Sequence, residues 1–280
     1  MSNSLVGPER RPLIIAHRGA SAYAPENTLI SFRRAVELRA DGIEFDVRLA
    51  GDGVAVVFHD PSLNRIAGRK ARIEQTDSVE LSVTDAGSWF NRRYPERSDP
   101  NFANERVPTL RQTLRRLEPF NGLLYIELKG HNKGIEQLAN AVAEEIRDSP
   151  LLPRIIVKSF NLRALPHVRT MCPGVRTAAL FAPKFRNLLR KEKHILHLAE
   201  EAGAEEISLH YTLATRKLVS EALRRGFDVV VWTADRARWV RRGAELGLKA
   251  IITNDPAKLL VARDRQIERG GAGKGQLSTQ

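Results

Sequence analysis

The feature that most restricts the fold is a series of short apolar segments, each followed by a stretch long enough for a helix. They fall at 13–16, 42–47, 123–128, 154–158, 176–181, 206–209, 228–233 and 250–253. Strands alternating with helices imply a parallel sheet. Eight of them predict closure into a (β/α)8 TIM barrel, which gathers the C-terminal ends of all strands around one site. Two places depart from the repeat. After the second strand, Gly51-Asp52-Gly53 turns the chain back into 54–58, a hairpin signal rather than a crossover. From 61 to 106 the pattern lapses into polar, proline-containing sequence with Trp89, Phe90 and Tyr94, which reads as a small insertion. A helix at 28–39 is expected to be capped by Asn27 or Thr28, and Thr109 with Gln112 forms a capping box for the helix after the insertion. The barrel is expected to span 1–263, and 264–280, ending GGAGKGQLSTQ, to be a disordered tail.

One stretch concentrates the chemistry. Between His17 and Asp60 lie two histidines, an Arg-Gly directly after the first, a Glu-x-Asp pair and a closing His-Asp. GIEFDVRL alternates Ile43, Phe45 and Val47 with Glu44, Asp46 and Arg48, so Glu44 and Asp46 point the same way from one strand. Two carboxylates held this close repel unless a cation or a proton lies between them, and an all-oxygen site suits Ca²⁺ or Mg²⁺ better than Zn²⁺. LIIAHRG delivers His17 and Arg18 to a strand end, and VAVVFHD does the same for His59. Near a divalent cation, one histidine can serve as general base while the other protonates a leaving group. Arg18 is suited to clamping a phosphoryl oxygen. Further on, YIELKG puts Tyr125, Glu127 and Lys129 on one face, and barrel closure brings Glu127 to Glu44 and Asp46. The plain alternatives are a hydrogen-bonded structural histidine, a solvated Glu-x-Asp strand face and a structural Glu-Lys ion pair. Their joint occurrence weighs against them, because desolvating each charge costs several kcal/mol before pairing.

His17-Arg18-Gly19, Pro25-Glu26-Asn27-Thr28, Glu44-x-Asp46 and His59-Asp60, in this order and spacing, resemble the glycerophosphodiester phosphodiesterase family. The likeness continues to about Leu260. It implies the same barrel, an insertion that covers part of the site, and one divalent cation held by Glu44, Asp46 and Glu127. It also implies His17 and His59 as the acid/base pair, Lys129 as a phosphate ligand beside Arg18, and Trp232, in the VWT of a late strand, at the substrate. The reaction implied is hydrolysis of a glycerophosphodiester to glycerol 3-phosphate and an alcohol, the neighbouring glycerol hydroxyl attacking phosphorus before water does. Two residues depart from the family pattern: Asp235, where asparagine is more usual, and Lys158, where a neutral polar residue is common. Both bear on substrate preference. Lys158-Ser159-Phe160, Phe181 and His210-Tyr211 also begin barrel loops and are candidates for a pocket lining, whereas His131, His167, His194 and His197 read as surface.

Other classes compete on charge. A net charge of +12 admits a basic lipid-surface or nucleic-acid binding module. The basic residues are spread along the chain without interleaved stacking aromatics, so no nucleic-acid partner is expected. The densest run, PKFRNLLRKEKHILHLAEEAG, places Phe185, Leu188, Leu189, Ile195, Leu196 and Ala199 on one helical face, an outer barrel helix that leaves room for weak peripheral membrane contact. A metal-dependent aldolase or isomerase could use the same carboxylates and lysine but has no evident need of two strand-end histidines. A lysophospholipase D-type reaction on lysophospholipids is the nearest alternative substrate class. The single Cys172 excludes an internal disulfide, and the first residues lack the apolar core of a signal peptide; both fit a cytoplasmic protein. Oligomeric state is not legible.

Overall fold

The computed structural model describes residues 11–130, 134–183 and 192–272. Its strands are β1 (Leu13–His17), β2 (Gly42–Leu49), β3 (Ala55–Val57), β4 (Leu123–Leu128), β5 (Ile155–Ser159), β6 (Arg176–Phe181), β7 (Glu206–His210), β8 (Asp228–Trp232) and β9 (Ala250–Thr253). Going round, β1 pairs with β2, then β4 to β9 follow in order, and β9 returns to β1, every pairing parallel. The result is the closed TIM barrel expected. β3 lies outside the cycle, antiparallel to β2, as the Gly51-Asp52-Gly53 turn requires.

Alternation along the strands builds two cores. Outward residues such as Ile43, Phe45, Val47, Ile126 and Leu128 pack against the surrounding helices, among them Leu110–Leu117 and Ile135–Ile146. Inward residues Ile15, Tyr125, Ile156, Val230 and Ile252 plug the barrel interior. Each of the aliphatic side chains among them contributes about 1.5–3 kcal/mol on burial. One layer nearer the C-terminal rim the inward positions turn ionic. Register sets Glu44 beside His17, Glu127 beside Asp46 and Lys158 beside Glu127.

The first helix, Leu29–Glu37, is capped by Thr28, whose hydroxyl accepts from Ser31 N while Ser31 reaches back. Thr109 and Gln112 form the expected capping box. The segment between β3 and Leu110 folds as short helical turns with an apolar underside. Leu63, Ile66, Ile73 and Leu81 pack on Val56 and Phe58 of the hairpin, and Phe90 with Phe102 packs on Ala24. Asp52 Oδ2 ties the hairpin turn to this segment by accepting from Ser78 N at 3.0 Å and Ser78 Oγ at 2.6 Å.

The expected disordered tail needs correction. The last helix runs Pro256–Ala272, well beyond Arg263. RDRQIER is rich in good helix formers, and Arg263 is anchored to Asp41 by an ion pair. Positions 273–280 lie outside the described residues, as do 184–191 and with them Phe185, Leu188 and Leu189 of the basic run. Its remainder forms the helix Glu192–Glu201, which buries Ile195, Leu196 and Ala199 as predicted. Among the described residues no helix is long and apolar enough to cross a membrane.

Candidate active site

β1 hands the chain into an unusual turn. Arg18 (φ 56°) and Gly19 (φ 79°) are both left-handed, and a Cβ on Gly19 would fall 2.3 Å from Ser31 Oγ. Only glycine fits there. The turn leaves His17 at the rim and aims the Arg18 backbone N–H at Glu44 Oε2, 3.2 Å away. The guanidinium folds inward, with Nε 3.0 Å from Asp46 Oδ2 and Nη1 2.8 Å from Glu26 Oε1.

Glu44, Asp46 and Glu127 are brought together as expected: they are buried, and one oxygen of each lies within 4.8 Å of the others. Cations surround them. Lys129 contacts Glu127 and stands 3.2 Å from Asp46 Oδ1, while Lys158 Nζ lies 2.8 Å from Glu44 Oε1 and 3.8 Å from Glu127 Oε2. Burial pushes all three carboxyls up. At Asp46 the opposing pull of Lys129 and Arg18 wins and holds it well below the usual range; at Glu44 the pull of Lys158 wins too. At Glu127 burial prevails over Lys129 and Lys158, and its carboxyl stays raised.

The two histidines sit in opposite settings. His17 Nδ1 is 2.7 Å from Asn254 Oδ1, and the Asn254 amide is oriented by Asp235, whose carboxylate accepts from both its Nδ2 and its backbone N–H. An oxygen facing the ring assigns the proton to Nδ1 and leaves Nε2, 3.8 Å from Glu44 Oε2, as the free lone pair. Burial lowers the His17 pKa from its ordinary value, more than Glu44 raises it. His59 instead has a carboxylate partner, Asp60 Oδ1 at 2.6 Å from Nδ1, and Asp60 Oδ2 accepts from Arg65 Nε at 2.6 Å. Burial pushes Asp60 up, but the hydrogen bonds from His59 and Arg65 outweigh it and keep it ionised. A positive charge on either imidazole would favour the ionised form of Asp46.

Trp232 is half-buried across the mouth, in edge contact with His210 (5.3 Å) and Phe160 (5.4 Å). Phe160 also lies 5.7 Å from Lys129 Nζ. Beside Lys129 a cavity of about 1040 Å³ opens between the insertion and the loops after β4 and β5, lined by Arg48, Glu74, Phe160 and Arg163 among others.

Several residues beyond those assigned to the site from the sequence complete this centre. Asn27, left-handed at φ 58°, donates to Asp46 Oδ2 (2.9 Å) and accepts from Asp46 N (3.2 Å). Glu26 bridges Arg18 to Arg65 of the insertion. Arg48 binds the carbonyls of His59 (2.7 Å) and Lys129 (3.2 Å), fixing two site loops to each other. Asn254 and Lys158 stand directly on site groups, and neither has a local sequence signal for doing so. His210 keeps a local bond to Thr212 at 2.8 Å, His167 binds Asn140 and His197 pairs with Glu201, whereas His131 lies outside the described residues.

Three buried carboxylates and two oriented histidines thus stand near the C-terminal rim of a TIM barrel. Comparison with known proteins gives it a family. Residues 17–258 match the model of the glycerophosphoryl diester phosphodiesterase family, and the chain belongs to that family. It is 34% identical to YhdW of Bacillus subtilis over 245 residues, covering 87% of this chain and 94% of YhdW. With the glycerophosphodiester phosphodiesterase of Caldanaerobacter subterraneus it shares 31% identity over 265 residues, covering 93% of this chain and all (100%) of that one. Among solved structures, an Oleispira antarctica phosphodiesterase in complex with the product sn-glycerol-3-phosphate aligns with a TM-score of 0.79 at 27% identity, covering 91% of this chain and 97% of that one.

Proposed function

We propose that this protein is a divalent-cation-dependent glycerophosphodiester phosphodiesterase that releases glycerol 3-phosphate and an alcohol, with His17 as initial base and His59 as acid. The observation that carries it is the pair of histidines with opposite partners, one amide-bound and one carboxylate-bound, together with a buried carboxylate cluster. The bound product in the Oleispira antarctica relative supports the glycerol phosphate half of the substrate.

The cluster suits a hard cation. Glu44 Oε1, Asp46 Oδ1 and Glu127 Oε1 are buried and met by the ammoniums of Lys158 and Lys129, and these three oxygens are the ones that an ion such as Ca²⁺ or Mg²⁺ would take as ligands. When bound, such an ion supplies charge for the phosphoryl oxygens and acidifies a nearby hydroxyl. The residues do the rest. Arg18 and Lys129 turn from the carboxylates to the non-bridging oxygens. His17 Nε2, kept bare by Asn254, takes the proton of the attacking hydroxyl. His59, held at Nδ1 by Asp60, delivers its proton to the departing alcohol. Trp232 and the cavity beside Lys129 receive the glycerol and alcohol portions.

Phe160 is exposed beside Trp232, and Tyr211, also exposed, stacks on the His210 that touches Trp232; this apolar rim makes lysophospholipids the second substrate class. A panel of glycerophosphocholine, glycerophosphoethanolamine, glycerophosphoglycerol, glycerophosphoinositol and a lysophosphatidylcholine, each with Ca²⁺, Mg²⁺ or chelator, tests the reading. Release of alcohol from the first four in the presence of metal is expected. Turnover of none of the five would overturn the assignment, and turnover of the lysolipid alone would move it to the second class. The free, buried Cys172 is in keeping with a reducing compartment, and a cytoplasmic location belongs to the same proposal.

A further inference from the structure

We propose that Lys158 is a built-in competitor of the divalent cation: its ammonium holds Glu44 and Glu127 when no ion is bound, and sets how loosely the ion is held when one is. This rests on the reading of Glu44, Asp46 and Glu127 as the cation site.

Three observations carry it. First, the ammonium is placed where an ion would draw its ligands, 2.8 Å from Glu44 Oε1 and 3.8 Å from Glu127 Oε2, so it occupies an oxygen that the ion would need. Secondly, Lys158 has nowhere to go. It is 1% exposed at the inward face of β5, whereas Lys129 borders the open cavity and the Phe160 ring, toward which it can withdraw. Thirdly, the formal charges of the cluster are balanced before any ion arrives. Glu44, Asp46 and Glu127 are met by Arg18, Lys129 and Lys158, each within 4.0 Å of at least one carboxylate.

Like charges a few ångströms apart in a water-poor interior repel strongly, so an incoming ion meets a fixed positive neighbour that shares its ligands. The same ammonium spares the metal-free protein poor compensation of two buried carboxylates, Glu44 and Glu127. The sequence supplies the chemical contrast: this chain carries a lysine where the resemblance leads one to expect a neutral polar side chain. Lys158 therefore trades ion affinity for integrity of the empty site.

The test is calorimetric titration of chelator-treated wild type, Lys158→Gln and, as a charge control far from the site, the exposed Lys217→Gln with Mg²⁺ and with Ca²⁺, alongside melting temperatures with and without ion. Lys158→Gln should bind at least about tenfold more tightly than wild type, melt lower without ion and gain more on adding it. Lys217→Gln should match wild type. If the ion-free Lys158→Gln does not stay folded, its Kd follows from competition with a chelator of known affinity, starting from the loaded protein. An ion bound equally well or less well by Lys158→Gln would overturn this inference while leaving the cation site standing, and equal tightening in Lys217→Gln would overturn it as mere net charge. Absence of binding in both wild type and Lys158→Gln would instead overturn the cation site itself.

Discussion

His17 and His59 carry the sharpest expectations because each ring has a single orienting partner. His17→Ala and His59→Ala should each lose about 10²-fold or more in kcat on glycerophosphocholine. The leaving group separates their roles. A diester that expels p-nitrophenolate needs no proton for departure, so His59→Ala should recover most of its loss on that substrate and His17→Ala should not. The reverse pattern would exchange acid and base. The pH profile gives an independent check on His17. Burial lowers its pKa from 6.5, so the neutral, proton-accepting form persists below that pH. The acid limb of kcat/KM should therefore fall below 6.5; a limb above that value would remove His17 as the base. Arg18 engages Glu26 and Asp46 through two different nitrogens, a fork that a lysine ammonium cannot reproduce. Arg18→Lys should lower kcat/KM by about tenfold or more, and an unchanged value would mean that the guanidinium serves structure alone.

Much of the centre belongs to single elements, which is why it could be read in advance. Within β2 the period of two aligns Glu44 with Asp46, and within β4 it aligns Glu127 with the lysine that follows the strand. What could not be read lies between elements. Lys158 sits in IIVKS, a segment that looks like any buried strand until the register sets it beside Glu127. His17 and Asn254 are 237 positions apart and meet only because β9 closes on β1. The insertion resisted reading because its short turns bury scattered residues against the hairpin rather than following a period. The tail was misjudged from its glycine-rich end, although the residues before it favour helix. The loop 25–28 offers a test at this scale. Asn27 is buried, left-handed and bonded twice to Asp46. Asn27→Gly keeps the backbone free to adopt that conformation but removes the amide, and should cost about 1–3 kcal/mol in denaturant unfolding together with weakened ion binding. A change of stability with ion affinity intact would limit the loop to a structural role.

On the scale of the molecule, the +12 charge is distributed over outer faces, where arginines pair locally, as Arg111 with Glu145 and Arg225 with Glu200. The closed barrel directs chemistry to one rim, where carboxylates, histidines and cations converge. That convergence has a consequence for how the bond is cleaved. A glycerol phosphodiester brings its own nucleophile, the hydroxyl on the carbon next to the ester oxygen. Tethered in the right geometry, such a group can reach an effective molarity of about 10⁵ M or more, far beyond what a single site water attains. His17, with Nε2 bare, is suited to deprotonating it, and His59 to protonating the alcohol that leaves from the opposite side of phosphorus. On that proposed route the first step would give a cyclic 1,2-phosphate, which water would open with the histidines in exchanged roles, yielding glycerol 3-phosphate. Glycerophosphocholine and its 2-deoxy analogue differ only in this hydroxyl, sharing phosphate, leaving group and every contact that Arg18 and Lys129 can make. The analogue should bind with a similar Kd as a competitive inhibitor yet turn over at least about 10²-fold more slowly, and quenched reactions of the natural substrate should contain the cyclic phosphate. Comparable kcat/KM for the two compounds would establish direct attack by water and exclude the cyclic route.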